Sequence, residues 1–316
     1  MSNMFDFQGN VVCENRRLPS TNTDAQCRAA FLAYMNEKAT DFGMSGTHYA
    51  SASGMTQSSY STPQDGLKLI IAVASYREAM RIWATPSRSF SVLGDHARTV
   101  NISNNVITGI GAMMETAGHK FLGGKGGSLI YNDHHKAQLY IVDVSGRSVA
   151  LSLMALGETG YNSIYQAAVE LADMVSASLA GNTPTEGENL AQIVEDNGGY
   201  AACVLPVPPG AYVNLETPAE LLARANSIYN APTVSRYPAS TSKAMTMLCA
   251  LDYMIDPFEI ITVKSADIEA GSGSTFYDGD KLRLYDAMCI MMMESSNTMA
   301  QCIGRVTGDK ILRSKQ

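Results

Sequence analysis

Long uncharged apolar runs are missing from this 316-residue sequence, and with them the expectation of a transmembrane helix. A basic stripe is missing too. The 23 Lys and Arg against 30 Asp and Glu leave a formal net charge of -7, which argues against a nucleic-acid partner. The opening residues, Met1-Ser2-Asn3-Met4-Phe5-Asp6-Phe7, hold neither a basic leader nor an apolar segment of signal length. The chain as given is therefore not expected to be addressed for secretion. The six cysteines (Cys13, Cys27, Cys203, Cys249, Cys289 and Cys302) contain no C-x-x-C pair and no grouping with histidine of metal-site spacing. Neither a metal nor a cofactor is expected, and Cys249, Cys289 and Cys302, in apolar helical stretches, read as packed thiols. The His134-His135 pair reads as part of a loop or hairpin. Collagen, solenoid and coiled-coil repeats are absent as well.

What the chain does have is 46% apolar residues, enough for one large α/β domain or two modest ones. Apolar spacing predicts a helix from Ala25 to about Phe42, ended near Gly43. Residues 43–62, rich in Gly, Ser and Thr, read as a long ordered surface connection, a kind of segment that often carries binding groups. Helices follow over 63–75, with Pro63 in the first turn, and around 76–83. Alternation at Ser89-Phe90-Ser91-Val92 predicts a strand. Two stronger strands, Ala137 to Val144 and Val149 to Ala155, form a hairpin through Ser145-Gly146-Arg147, with Lys125-Gly126-Gly127-Ser128 starting the adjacent strand. A helix over 162–179 buries Ile164, Ala168, Leu171, Met174 and Val175. Residues 181–199 read as a linker with one helical turn at 190–194. A strand at 200–205, a short helix at 218–226, a helix at Ser240, a loop over 271–279 and one apolar helix from about Leu284 to Ile303 complete the chain.

Ser240-Thr241-Ser242-Lys243 carries the chemistry. One helical turn separates Ser240 from Lys243, so hydroxyl and amine share a face. A serine is a poor nucleophile unless a base removes its proton as it attacks, and a lysine serves only if burial or a neighbouring cation lowers its pKa. Taken alone, S-x-x-K also describes an ordinary helix cap with its lysine on the solvated face.

The surroundings are more specific. Tyr237-Pro-Ala-Ser-Thr-Ser-Lys-Ala-Met-Thr246 resembles the nucleophile segment of the D-alanyl-D-alanine carboxypeptidases, the low-molecular-mass penicillin-binding proteins of serine β-lactamase-like fold. Gly279-Asp280-Lys281-Leu282-Arg283-Leu284-Tyr285-Asp286, leading to Met293-Glu294-Ser295-Ser296-Asn297, resembles that family's approach to its S-x-N motif. Phe31-Leu-Ala-Tyr-Met-Asn-Glu-Lys-Ala39, Gly43-Met44, Thr47-His48-Tyr49-Ala50, Ser53-Gly54-Met55 and Tyr60-Ser61-Thr62 resemble what normally follows S-x-N. Leu122-Gly123-Gly124-Lys125-Gly126-Gly127 resembles the K-T-G strand. The family order is S-x-x-K, S-x-N, K-T-G; here the last stage comes first. The resemblance therefore implies a circular permutation within one domain. Residues 25–180 hold the family's C-terminal portion, 181–199 join the former ends, and 200–316 hold the N-terminal portion. The implied fold is α/β (α+β), a central antiparallel sheet flanked by helices.

By resemblance, Ser240 attacks an acyl carbonyl, Lys243 is its base and Ser295 relays a proton between Lys243 and the leaving nitrogen. Asn297 holds the substrate amide or Lys243, and Lys125 faces the substrate carboxylate. The backbone amides of Ser240 and Ser128 form the oxyanion hole, and Gly127 lets the strand approach substrate. One departure stands out: Gly126 replaces the family threonine and its hydroxyl, leaving room for a water or a different acyl group. The implied substrate is a peptidoglycan-type peptide or another small acyl compound, with β-lactams as covalent inhibitors. The alternatives are an amidase or esterase of the same fold, or a catalytically dormant binding protein. The family implies a cell-envelope or extracytoplasmic setting if a leader has been removed.

Overall fold

The structure is a computed structural model and describes residues 21–130, 133–157, 161–206 and 217–315. The chain begins with α1 (Asp24–Asp41), α2 (Pro63–Ser75), α3 (Arg77–Trp83), β1 (Ser87–Val92) and β2 (Arg98–Ser103). A π-helical turn over Ile107–Gly111 then leads into α4 (Ala112–Thr116). Next come β3 (Lys120–Ile130), β4 (His134–Val144), β5 (Arg147–Leu156), α5 (Tyr161–Leu179), α6 (Glu188–Glu195) and β6 (Gly199–Val204). The last part holds α7 (Pro218–Arg224), β7 (Ser227–Asn230), α8 (Ser242–Asp252), β8 (Ile260–Thr262), β9 (Lys281–Arg283), α9 (Leu284–Met293) and α10 (Asn297–Ser314).

The central sheet has the order β3-β4-β5-β6-β7, and every neighbouring pair is antiparallel. Side chains alternate across it, so each strand feeds two cores. Leu139, Ile141, Ala150, Ala201 and Cys203 face a layer containing α2, α8, α9 and α10. Tyr140, Val142, Leu151, Leu153 and Ala202 face the layer of α5 and α6. The sheet joins early and late chain: β3–β5 are completed by β6 and β7. The expected mixed α/β architecture, an antiparallel sheet with helices on both sides, is present.

Helix boundaries follow their caps. Thr23 and Gln26 form a capping box before α1, and Thr62 accepts from the amide of Asp65 (3.1 Å) with Pro63 in the first turn of α2. Almost all of α2 is buried, since Leu67 and Leu69 to Ala74 serve the sheet on one side and helices on the other. Helix α1 lies against α10 so closely that a Cβ on Gly308 would meet the carbonyl oxygen of Cys27 at 1.8 Å.

Four expectations are corrected. The apolar helix over 284–303 is two helices, α9 and α10, because Ser295 takes a left-handed φ of 65° and breaks the run. Residues 43–62 are a surface connection only in part: Ser45, His48, Gln57, Ser58 and Tyr60 are exposed, but Tyr49, Ala52, Ser53 and Ser59 are buried. The 181–199 segment holds all eight residues of α6, whose Leu190 and Ile193 pack into the core. Lys125 to Ser128 lie in the middle of β3, not at its start. The strand at 89–92 also has a partner, β2, and the sheet a fifth strand, β7. His134 and His135 open β4, while Cys13 lies outside the described residues. The other five cysteines are free and buried.

Candidate active site

Lys243, the second residue of α8, is fully buried, which excludes the solvated-lysine reading of S-x-x-K. Its amine has three partners, each at 2.8 Å: the hydroxyl of Ser240, the side-chain oxygen of Asn297 and the backbone carbonyl of Ser53. Two of these can only accept. A neutral amine has two N–H bonds to give them and one lone pair left, which faces the one partner able to donate, the Ser240 hydroxyl. The site thus suits an uncharged lysine poised to take a proton from serine. Burial, followed by the positive charge of Lys125, holds the Lys243 pKa well below its ordinary value, with Glu269 pulling weakly the other way.

Each partner is fixed by a local device. Asn297 gives its nitrogen to the carbonyl of Ala270 (2.9 Å), which turns its oxygen toward Lys243. Ser53 is brought in by Gly54, which has a φ of 82°; a Cβ there would meet the carbonyl of Ala239 at 1.9 Å. The hydroxyl of Thr246 donates to the carbonyl of Ala52 (2.7 Å), tying the same loop to α8. Ala239 itself is left-handed, with φ at 47°, and starts the 3-10 turn Ala239–Thr241 that presents Ser240. Amides in the first turn of such a helix have no intrahelical acceptor, so they remain available to developing negative charge.

The second amine comes from β3. Lys125 is 1 % exposed, and its nitrogen donates to Ser295 (3.0 Å) and to the carbonyl of Gly126. Burial alone brings its pKa down to about 7. Because Ser295 accepts from Lys125, its own hydrogen is left to donate elsewhere. Strand β3 is an edge of the sheet, and it touches the turn that carries Ser240. Gly127 makes the approach possible, since a Cβ there would lie 2.7 Å from the nitrogen of Ser240. Ser128 follows on the same strand and is half-buried.

The structure therefore gathers Ser240, Lys243, Asn297, Ser295, Lys125 and Gly127 from segments far apart in the chain. Two features differ from the sequence reading. Ser295 is bonded to Lys125, whereas all three hydrogen bonds of Lys243 go elsewhere. The space beside Gly126 is not open, since a Cβ there would lie 2.7 Å from the amide oxygen of Gln138. The carbonyls of Ser53 and Ala270 and the side chain of Gln138 were not singled out from sequence. A carbonyl carries no residue-type signal, and Gln138 becomes relevant only once β4 is set in register with β3. Tyr237 stacks on His135, with ring centres 4.3 Å apart, beside the Ser240 turn. Among the described residues there is no cluster of His, Cys, Asp or Glu suited to a metal ion, and no helix is long and apolar enough to cross a membrane.

No protein-family model, curated protein or solved structure matches the chain.

Proposed function

We propose that the chain is a serine D,D-peptidase, acting as a D-alanyl-D-alanine carboxypeptidase through an acyl-serine intermediate and acylated by β-lactams. The observation that carries this reading is the buried Lys243 amine, 2.8 Å from the Ser240 hydroxyl and otherwise bound only to acceptors. The β-lactamase-like fold and its circular permutation belong to the same proposal. They are supported by the meeting of the S-x-x-K, S-x-N and K-G-G segments around one pair of amines.

In acylation, Ser240 Oγ bonds to the substrate carbonyl carbon and its proton passes to Lys243. The backbone amides of Ser240 and Ser128 receive the oxyanion, an arrangement in which one donor is worth about 3 kcal/mol of transition-state stabilisation. As the C–N bond breaks, Ser295 gives its proton to the leaving nitrogen and recovers one from Lys125. The two amines have then exchanged states: Lys243 is charged and Lys125 neutral. In deacylation, water bonds to the acyl carbon and loses a proton to Lys125 through Ser295. The acyl–oxygen bond breaks as Lys243 returns its proton to Ser240. Both amines are reset, and a carboxylic acid leaves.

Incubation with a labelled penicillin followed by intact-mass measurement tests the reading. An adduct on the wild-type chain that is lost in Ser240→Ala supports it; no Ser240-dependent adduct overturns it. Gly126 favours a second reading, an amidase or esterase of the same fold, because a hydroxyl suited to a terminal carboxylate is absent. Comparing D-Ala-D-Ala peptides with simple esters separates the two.

A further inference from the structure

Gln138 stands directly opposite Gly126 in the β3–β4 ladder. A Cβ added at Gly126 would lie 2.7 Å from Oε1 of Gln138 and 3.6 Å from its Nε2. The amide therefore occupies the volume that a side chain at position 126 would take, one residue from Lys125 and one from Gly127. Its two ends are not equivalent. The oxygen accepts from the hydroxyl of Tyr140, which fixes the amide plane. The nitrogen is buried and finds no hydrogen-bond partner among the described residues, in a side chain that is 1 % exposed.

Burying an amide N–H without a partner is unfavourable, because the hydrogen bond it made to water is not replaced. A leucine or methionine would fill the same space without that penalty, but it would take this acceptor from the buried Tyr140 hydroxyl. Packing accounts for the bulk at position 138 and the Tyr140 hydroxyl for its oxygen, but neither accounts for the nitrogen. The carboxylate of an acyl donor lying along the free edge of β3 would supply the acceptor this nitrogen lacks. Lys125 would balance the charge from the other face of the same strand.

We propose that Gln138 is a specificity-determining residue that donates from Nε2 to a carboxylate of the bound acyl donor, in place of the hydroxyl missing at Gly126. This rests on the acyl-serine reading above. Residues 126 and 138 then form an exchangeable pair: a hydroxyl on β3 with an apolar residue on β4, or a glycine on β3 with an amide on β4.

The test uses benzylpenicillin, which carries a free carboxylate, and its methyl ester, which does not, with the rate of Ser240 adduct formation followed by intact mass. In Gln138→Glu, the Tyr140 hydroxyl keeps its acceptor while the donor is lost; Gln138→Met is the uncharged control. Both variants are expected to slow reaction with the free acid about 10- to 100-fold, the loss of one hydrogen bond to a charged group. The ester should change less than threefold. Gly126→Thr combined with Gln138→Met is expected to recover most of the free-acid rate, while Gly126→Thr alone, forced against the amide, does not. Equal losses on both probes, or no loss on the free acid, overturn the role of Gln138. A wild-type chain that forms no Ser240 adduct with either probe instead overturns the acyl-serine reading and this inference with it. Thermal melts of each variant identify any loss that comes from unfolding.

Discussion

Gly127 on the edge strand lies so close to Ser240 that a Cβ on the glycine would stand 2.7 Å from the serine nitrogen and 2.9 Å from that of Thr241. Real Cβ atoms essentially never approach that closely, and both contacts are with backbone, so one chain segment has to shift. Gly127→Ala is therefore expected to widen the gap between β3 and the Ser240 turn. Overpacking of this kind costs about 1–3 kcal/mol of stability. The larger effect falls on acylation, because a displaced oxyanion donor lowers rates by roughly 100- to 1,000-fold. Adduct formation and urea melts on the same preparation check both numbers. A Gly127→Ala chain that reacts at the wild-type rate would show that this approach does not serve the reaction.

Acylation by this route requires Lys125 charged and Lys243 neutral. Burial brings Lys125 to about 7, and the charge of Lys125 adds to burial in lowering Lys243, so Lys243 gives up its proton first as pH rises. The expected profile of the second-order acylation rate is a bell. Its alkaline side falls as pH passes about 7 and Lys125 discharges; its acid side falls where Lys243 becomes protonated. Lys125→Arg keeps a permanent charge and should lose the alkaline fall, at a lower rate throughout. A wild-type rate that climbs steadily to pH 10 would contradict these roles.

The same burial makes stability depend on pH. Lys125 has an ordinary value of 10.5 and a folded value of about 7, so between the two the unfolded chain binds a proton that the folded chain does not. Stability from this group therefore rises with pH across that window, by at most about 1.4 kcal/mol per pH unit. The useful range is pH 7 to 9. Above it, the buried cysteines act in the opposite sense, since their folded values are raised from 9.0. Urea melts from pH 7 to 9 are expected to show rising stability, to which buried Lys243 contributes in the same sense, and Lys125→Met is expected to make the rise shallower without abolishing it.

How much of this was legible depends on whether a position declares itself by residue type. Ser240 and Lys243 did, through a spacing that any helix turns into a shared face. The sheet strands with strong alternation, β4 and β5, were legible for the same kind of reason. The break at Ser295 was not: apolar stretches flank the short polar run Glu294-Ser295-Ser296-Asn297-Thr298 on both sides, and a left-handed serine looks like any other serine in the sequence. The short, half-exposed β7 lacks a buried stripe and carries little pattern of its own. The region of α6 is acidic and follows Pro184, and its buried stripe, Leu190 and Ile193, is too short to stand out from such a background. Ser53 and Ala270 contribute carbonyls, and their places follow from Gly54 and Asn297 only after the loops are folded.

Asn297 offers the sharpest check on the state of Lys243. Asn297→Asp places a carboxylate where a neutral oxygen now stands 2.8 Å from the amine. An opposite charge at that distance favours the charged lysine and raises its pKa. The acid side of the acylation profile should then move to higher pH, and the rate at pH 7 should fall about 10-fold or more. The new carboxylate also faces the carbonyl of Ala270 without a proton to give, where the amide now donates at 2.9 Å, so about 1–3 kcal/mol of stability is lost. Asn297→Ala separates the two effects, because it removes the acceptor without adding charge: the rate drops while the acid side stays within a few tenths of a pH unit. If Asn297→Asp reacts more slowly with its profile unmoved, Asn297 serves only to position Lys243 or the substrate, and the neutral amine is maintained by burial and Lys125 alone.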